Sequence, residues 1–291
     1  MLVTIKNSRL SIGADTYGAE LNFLRSADGI DYLWDGKPEY WSGRAPILFP
    51  FVGRLRNGRA SSAMGDVVLP IHGFAQSCEW EPEKVSPDSM TFKLCSNEQT
   101  RTGYPYDFTV YVSYYLSENS LTTEIKVVNA GSTVMPFCTG GHPGFHVPLI
   151  EGENFTDYII EFEKSETADC PFVDMSCGLI LNKTRRVLDN QKSFRLEHGI
   201  FDNDALIFDK LLSRSASLLS TKSGHGVKMD FDGMKYFAVW SAVKPAPFVC
   251  LEPWTGMATT ESEDDVFENK RGMRLLEPGE EDTVSFKVTV F

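Results

Sequence analysis

The sequence lacks the features that announce several common chemistries. No stretch approaches the ~20 apolar residues of a membrane-spanning helix, although apolar residues make up 42% of the 291-residue chain. There is no run rich in Lys and Arg, and 28 basic residues face 40 acidic ones for a net charge of −12. A surface of that sign repels nucleic-acid phosphates and anionic membranes, so neither is expected as a partner. The opening MLVTIKNSRLSIGAD has no long apolar stretch and no small-residue cleavage site. A signal peptide is therefore not read there, and a cytoplasmic protein is expected. Cysteine pairing is also missing. Cys78, Cys95, Cys138, Cys170, Cys177 and Cys250 form no CxxC motif and have no histidine cluster beside them. Reduced, mostly buried thiols are expected rather than a metal site or a disulfide framework. GxxxxGK, GxGxxG after a strand, GxSxG and HExxH are all absent. Phosphate-loop, Ser–His–Asp and zinc-peptidase chemistry thus lack a starting motif.

Helical periodicity is scarce, and period two takes its place. Residues 2–5 and 9–12 alternate around the turn Lys6-Asn7-Ser8. The clearest hairpin is Phe108–Leu116 followed by Leu121–Val128, with Glu118-Asn119-Ser120 between arms rich in Val, Tyr, Thr and Ile. Val227–Phe231, Tyr236–Trp240 and Val284–Val290 also read as strands, the last entered through Glu280-Glu281-Asp282. Short helices are expected near Pro38–Trp41 and Asp204–Leu212, the second capped by Asp202 or Asn203. No repeat, low-complexity tract or linker interrupts the chain. The economical reading is mostly β: one domain over residues 1–291, built as a large antiparallel β-sandwich.

Against this background a few residues stand out. His72 lies in Leu69-Pro70-Ile71-His72-Gly73-Phe74, and His142 in Gly140-Gly141-His142-Pro143-Gly144-Phe145. Glycine lets the backbone turn sharply and approach a ligand, and the proline holds His142 extended. Each histidine could equally be structural at a strand end. Glu252 ends the apolar run Phe248-Val249-Cys250-Leu251 and precedes Pro253-Trp254. A carboxyl buried there is costly and would have a raised pKa, as a general base needs. One wet strand face would explain it as well. Trp254 could stack on a sugar ring or sit in the core. Arg54, Arg56 and Asn57 offer forked donors suited to vicinal hydroxyls, or simply solvated loop charge. Asp202 and Asp204 could accept from hydroxyls or cap a helix.

Taken together, Tyr32-Leu33-Trp34, Leu48-Phe49-Pro50-Phe51-Val52-Gly53-Arg54, Ile71-His72-Gly73-Phe74, His142-Pro143-Gly144-Phe145 and Cys250-Leu251-Glu252-Pro253-Trp254 occur in an order that resembles the aldose 1-epimerase superfamily. Within it, the chain is similar to the LacX-like branch of mutarotase-related proteins. The resemblance covers almost the whole chain. It implies the galactose mutarotase-like supersandwich fold, with a sugar cleft on one sheet holding two histidines, an arginine, an aspartate and a glutamate. By motif these are His72, His142, Arg54, Asp204 and Glu252, with Asp204 chosen over Asp202.

The resemblance also implies a mechanism and a ligand. Glu252 would take the O1 proton and His142 would protonate O5, while His72, Arg54 and Asp204 hold the sugar. Arg56, Asn57 and Trp254 join them as candidate binding residues. A small-molecule sugar is the expected partner, with no metal and no organic cofactor. Oligomeric state is not readable. Three departures from galactose mutarotases fit the LacX-like branch. Gly144 replaces an aromatic residue after His-Pro, Leu55-Arg56-Asn57-Gly58 replaces Asn-Arg-Ile after Gly-Arg, and Pro253-Trp254 replaces Thr-Gln after the glutamate. A free-sugar aldose 1-epimerase is expected. The alternatives are a hexose-6-phosphate mutarotase with Arg54, Arg56 and Arg44 as a phosphate clamp, and a non-catalytic carbohydrate-binding protein.

Overall fold

A computed structural model describes residues 1–291, and half of them lie in strands. The largest sheet has nine antiparallel strands. Their spatial order is Ile180–Arg195, Tyr158–Val173, Ser215–Ser220, Gly226–Asp230, Glu281–Val290, Ser120–Asn129, Phe108–Ser117, Ser89–Cys95 and Glu81–Val85. A second sheet runs Leu206–Phe208, Tyr236–Trp240, Phe248–Trp254, Gly140–Gly141 and Ile47–Leu48, and Gly144–His146 also pairs with Phe248–Trp254. Leu2–Lys6, Leu10–Asp15 and Leu21–Ser26 form a third, three-stranded sheet.

The strands form where apolar residues alternate. In Ser120–Asn129 every second residue is buried without exception. Those inward residues meet the second sheet. Phe162 on the large sheet packs edge-on against Phe208 and Phe237 of the smaller one, at 5.3 and 6.3 Å between ring centres. The Phe286 ring lies where a side chain at Gly141 would stand. Each such aromatic stabilises the fold by roughly 1.5–3 kcal/mol on burial. The void left between the sheets is about 10 Å³, no larger than one water.

The expected hairpin forms over Phe108–Ser117 and Ser120–Asn129, with Glu118 in the left-handed region at φ 52°. The two expected helices do not form. Pro38–Trp41 lies in a turn in which the Tyr40 and Trp41 N–H groups both donate to the Lys37 carbonyl. The segment Asp204–Leu212 contains the strand Leu206–Phe208, paired with Tyr236–Trp240. Local spacing loses there to tertiary pairing, because a sheet edge buries Leu206, Ile207 and Phe208 together. Asp202 does not cap a helix but follows the short 3-10 turn His198–Phe201. The α-helix that does form, Glu98–Gly103, was not anticipated. Its capping box joins Asn97 to Thr100, where the usual signature has Glu or Gln.

Candidate active site

The site sits on the outer face of the smaller sheet and is built outward from the strand Phe248–Trp254. All seven of its residues are buried. Alternation sends Val249 and Leu251 into the main core, while Phe248 and Cys250 join Trp34 in a small cluster on the opposite face. Glu252 shares that opposite face. Across the sheet, Gly140 pairs with Trp254 and Gly144 with Cys250. His142, midway between those glycines, therefore falls opposite Glu252. Residues opposed across an antiparallel pair hold their Cβ atoms about 4.5–5.5 Å apart, so the side chains meet. His142 Nε2 lies 3.0 Å from Glu252 Oε2. Ala238 is the other strand neighbour of Glu252, and its small side chain keeps the floor open.

Loops supply the facing wall. His72 has φ 64° and Asp204 has φ 69°, conformations uncommon for any residue but glycine. His72 is held from both sides: its N–H donates to the Gly53 carbonyl at 2.8 Å, and its ring Nδ1 accepts from the Gly53 N–H at 3.1 Å. Nδ1 is thus the acceptor, which leaves the proton on Nε2. Gly73 follows because a Cβ there would collide with the Phe49 carbonyl oxygen. Arg54 comes next after Gly53, and its carbonyl accepts from Thr259 N–H. Together these residues enclose a cavity of about 380 Å³, lined also by Trp41, Trp240, Gln76, Ile207 and Trp254. That volume suits a small molecule. The tip of the long hairpin Tyr158–Val173/Ile180–Arg195 forms a rim, with Gly178 pressed against the Arg54 side chain.

Burial sets the electrostatics. It holds the His72 ring neutral, with a pKa lowered to about 4, and the nearby Arg54 charge adds to the effect. His72 is therefore a neutral donor rather than an acid. Burial pushes His142 well below the usual imidazole range, helped by His72. It pushes Glu252 well above the usual carboxyl range, helped by Asp204, while the Trp254 indole works the other way. The indole N–H is not aligned for a full hydrogen bond, and Trp254 Nε1 stays buried without a partner. His142 Nδ1 is likewise buried without a partner, and the 3.0 Å contact of Glu252 Oε2 with His142 Nε2 is not aligned as a full hydrogen bond. Each such group costs roughly 1–3 kcal/mol. Asp204 is raised by burial and steadied by Arg54 and the Ala205 N–H.

The structure brings His72, His142, Glu252, Arg54, Asp204 and Trp254 to one cavity. Asp202, the alternative to Asp204, is exposed. Arg56 and Asn57, expected among the binding residues, lie outside the lining. The Arg56 guanidinium donates to Asp265 at 3.1 Å and to the Thr260, Glu261 and Glu263 carbonyls, so it ties down a loop. Asn57 is an exposed turn residue with φ 54°. Two tryptophans were missed. Trp41 lies over His142 with ring centres 4.9 Å apart, and Trp240 meets it edge-on at 5.6 Å. Trp41 also fills the space beside Gly144, 3.1 Å from where a Cβ would stand. An aromatic ring brought from a distant turn thus occupies the position next to the histidine where none follows His142-Pro143.

The profile of the aldose 1-epimerase family matches residues 1–289. The chain belongs to the aldose 1-epimerase family. A chromosomally encoded LacX protein of Lactococcus lactis subsp. lactis is 37% identical over 297 aligned residues, covering 100% of this chain and 99% of that one. A galactose mutarotase-related enzyme from Lactobacillus acidophilus superposes with a TM-score of 0.94 at 33% identity, covering 100% and 97% of the two chains. A galactose mutarotase-like protein from Lactobacillus casei gives 0.92 at 27% identity, with both chains fully covered. In this member of the aldose 1-epimerase family the buried His142–Glu252 pair belongs to the smaller sheet, and the other polar groups of the cavity stand on loops.

Proposed function

We propose that this protein is a cofactor-free mutarotase that interconverts the α and β anomers of an unphosphorylated hexose. The observation that carries the reading is the buried His142–Glu252 pair, in register across two strands and open to a sugar-sized cavity. In a cyclic sugar O1 and O5 are bonded to the same carbon, so the base and acid that serve them must be neighbours. Glu252 accepts the O1 proton as the C1–O1 bond becomes a carbonyl. His142 donates its Nε2 proton to O5 as the C1–O5 bond breaks. Rotation about C1–C2 presents the other carbonyl face, and closure returns both protons.

The proton inventory of this cycle balances. A carboxylate with an imidazolium and a carboxylic acid with a neutral imidazole hold the same single shared proton. Ring opening converts the first state to the second, and closure converts it back. Burial favours the neutral state in the empty site, so ring opening first requires the shared proton to pass from Glu252 to His142 across their 3.0 Å contact. The Nε2–H of His72, together with Arg54 and Asp204, would hold ring hydroxyls.

The phosphosugar alternative loses support at its clamp. Arg56 is committed to Asp265 and three carbonyls, and Arg44 to the Asn22 side chain and the Asp35 carbonyl. The deciding experiment is anomer exchange followed by NMR on fresh α-glucose and α-galactose, with glucose 6-phosphate alongside. Acceleration on a free sugar that is lost in Glu252→Gln is expected. Acceleration confined to the phosphate ester would move the reading to a phosphosugar mutarotase, and none on any sugar would sink it.

A further inference from the structure

Proton transfer has no use for Cys250, yet its thiol lies against the acid/base pair. Cys250 and Glu252 are two apart on one strand and share a face, and His142 stands across from them. One ligand atom from each of the three lies within 4.8 Å of the other two. Their relative exposures are 7%, 0% and 1% for His142, Cys250 and Glu252, so water does not compete for them. An imidazole nitrogen, a thiol sulfur and a carboxyl oxygen make up a mixed donor set that suits zinc. Metal–ligand bonds of ~2.0–2.3 Å place tetrahedral donors roughly 3–4 Å apart. The nitrogen and oxygen are already 3.0 Å apart.

One further observation points to a ligand at this spot. Glu252 Oε2 is buried, and its contact with His142 Nε2 at 3.0 Å is not aligned as a hydrogen bond. His72 would not supply the fourth ligand, because its Nδ1 is engaged by Gly53. His142 and Glu252 line the cavity, so a fourth ligand would enter from that side.

We propose that His142, Cys250 and Glu252 form a site for a thiophilic divalent cation of the zinc class, and that such a cation blocks the enzyme. The binding half stands on the geometry alone; the blocking half rests on the mutarotase reading. On binding, the thiol proton and the proton shared by His142 and Glu252 leave to solvent. Thiolate and carboxylate then neutralise the dication, so no net charge is buried. Magnesium and calcium, which favour all-oxygen shells, are excluded by the sulfur and nitrogen.

The test uses full-length protein carrying Cys95→Ser and Cys177→Ser, which removes the two exposed thiols. Cobalt(II) is added as a spectroscopic probe and zinc is titrated by calorimetry. One cobalt per chain with a near-ultraviolet thiolate charge-transfer band is expected. Cys250→Ala should abolish the band and weaken zinc at least ~10-fold, the loss typical even of an outer-shell partner. Should that variant fold poorly, Glu252→Gln, which keeps the side-chain volume, should weaken zinc comparably. A band that survives Cys250→Ala, or no stoichiometric binding, overturns the site. In the rate assay zinc should slow anomer exchange, magnesium should not, and Cys250→Ala should stay active and zinc-resistant. Binding without slowing overturns the blocking half. A protein inactive on every sugar instead fails the mutarotase reading, and the cobalt spectrum still decides the metal site.

Discussion

The two walls of the cavity are built differently. Glu252 stands on a strand and His142 on the link between two short strands that both pair with it, at Gly140–Trp254 and Gly144–Cys250, so their approach follows from the hydrogen-bond ladder. His72, Arg54 and Asp204 stand on loops, two of them at positive φ, and are held by single contacts such as the mutual grip of His72 and Gly53. A ladder fixes two side chains against each other with little freedom, which proton transfer requires. Loops tolerate change in shape and contents, which recognition of different sugars requires. On the mutarotase proposal, chemistry is placed on the sheet and selection on the loops of one aldose 1-epimerase fold.

The largest effect that could break this division is expected at the ladder. Glu252→Gln should lower the exchange rate by ~10²–10⁴-fold while sugar-induced thermal stabilisation changes little. His142→Asn should do the same. On the loop side, Arg54→Ala should raise KM roughly 10-fold or more, with kcat nearly unchanged, since a charge-assisted bond to a hydroxyl serves substrate and transition state alike. If Arg54→Ala cut kcat as deeply as Glu252→Gln, the two walls would not be functionally separate.

His72→Asn sharpens the comparison by a smaller step. Asn tolerates the left-handed backbone, and its side-chain oxygen can accept the Gly53 N–H, so the fold should persist. KM should rise several-fold in steady-state assays. The same variant tests a pH effect. Folding lowers the His72 pKa from its ordinary 6.5 to about 4. Below pH 6.5 the unfolded chain therefore binds more protons than the folded one, and stability falls as pH drops through that window. Melting curves from pH 7 to 4 should show the decline, and it should be shallower in His72→Asn. The smallest effect is expected at Arg56→Ala. It should lower the melting temperature by a few degrees through the 260–265 loop, about 1 kcal/mol, and leave KM for the sugar unchanged.

Much of the fold was legible because period two survives in single residues. In the hairpin through Phe108–Ser117 and Ser120–Asn129 the second strand alternates without a break, and the first departs from alternation only at the buried Ser113. The longest hairpin, Tyr158–Val173 with Ile180–Arg195, was not read. Its pairing shifts register between Glu161 and Glu166 and again beyond Glu166, Ala168 and Pro171, and each bulge resets the alternation. The misplaced helix at Asp204–Leu212 has a similar cause: three consecutive apolar residues carry no period, and pairing with Tyr236–Trp240 decided their state. In the site, glycine-flanked histidines and a carboxyl in an apolar run were visible as local oddities. Trp41 was not. Nothing near Pro38 indicates that the turn after it would lay an indole over a histidine a hundred residues away.

By itself the sequence determined the β architecture and the candidate acid, base and polar groups, because alternation and chemically costly residues are properties of short stretches. Tertiary structure alone decided which candidates meet. It set His142 opposite Glu252, drew Asp204 in while leaving Asp202 outside, and spent Arg56 on a loop. Those outcomes depend on strand register and loop closure across long sequence separations, where the free energy lies in pairings that no local stretch contains.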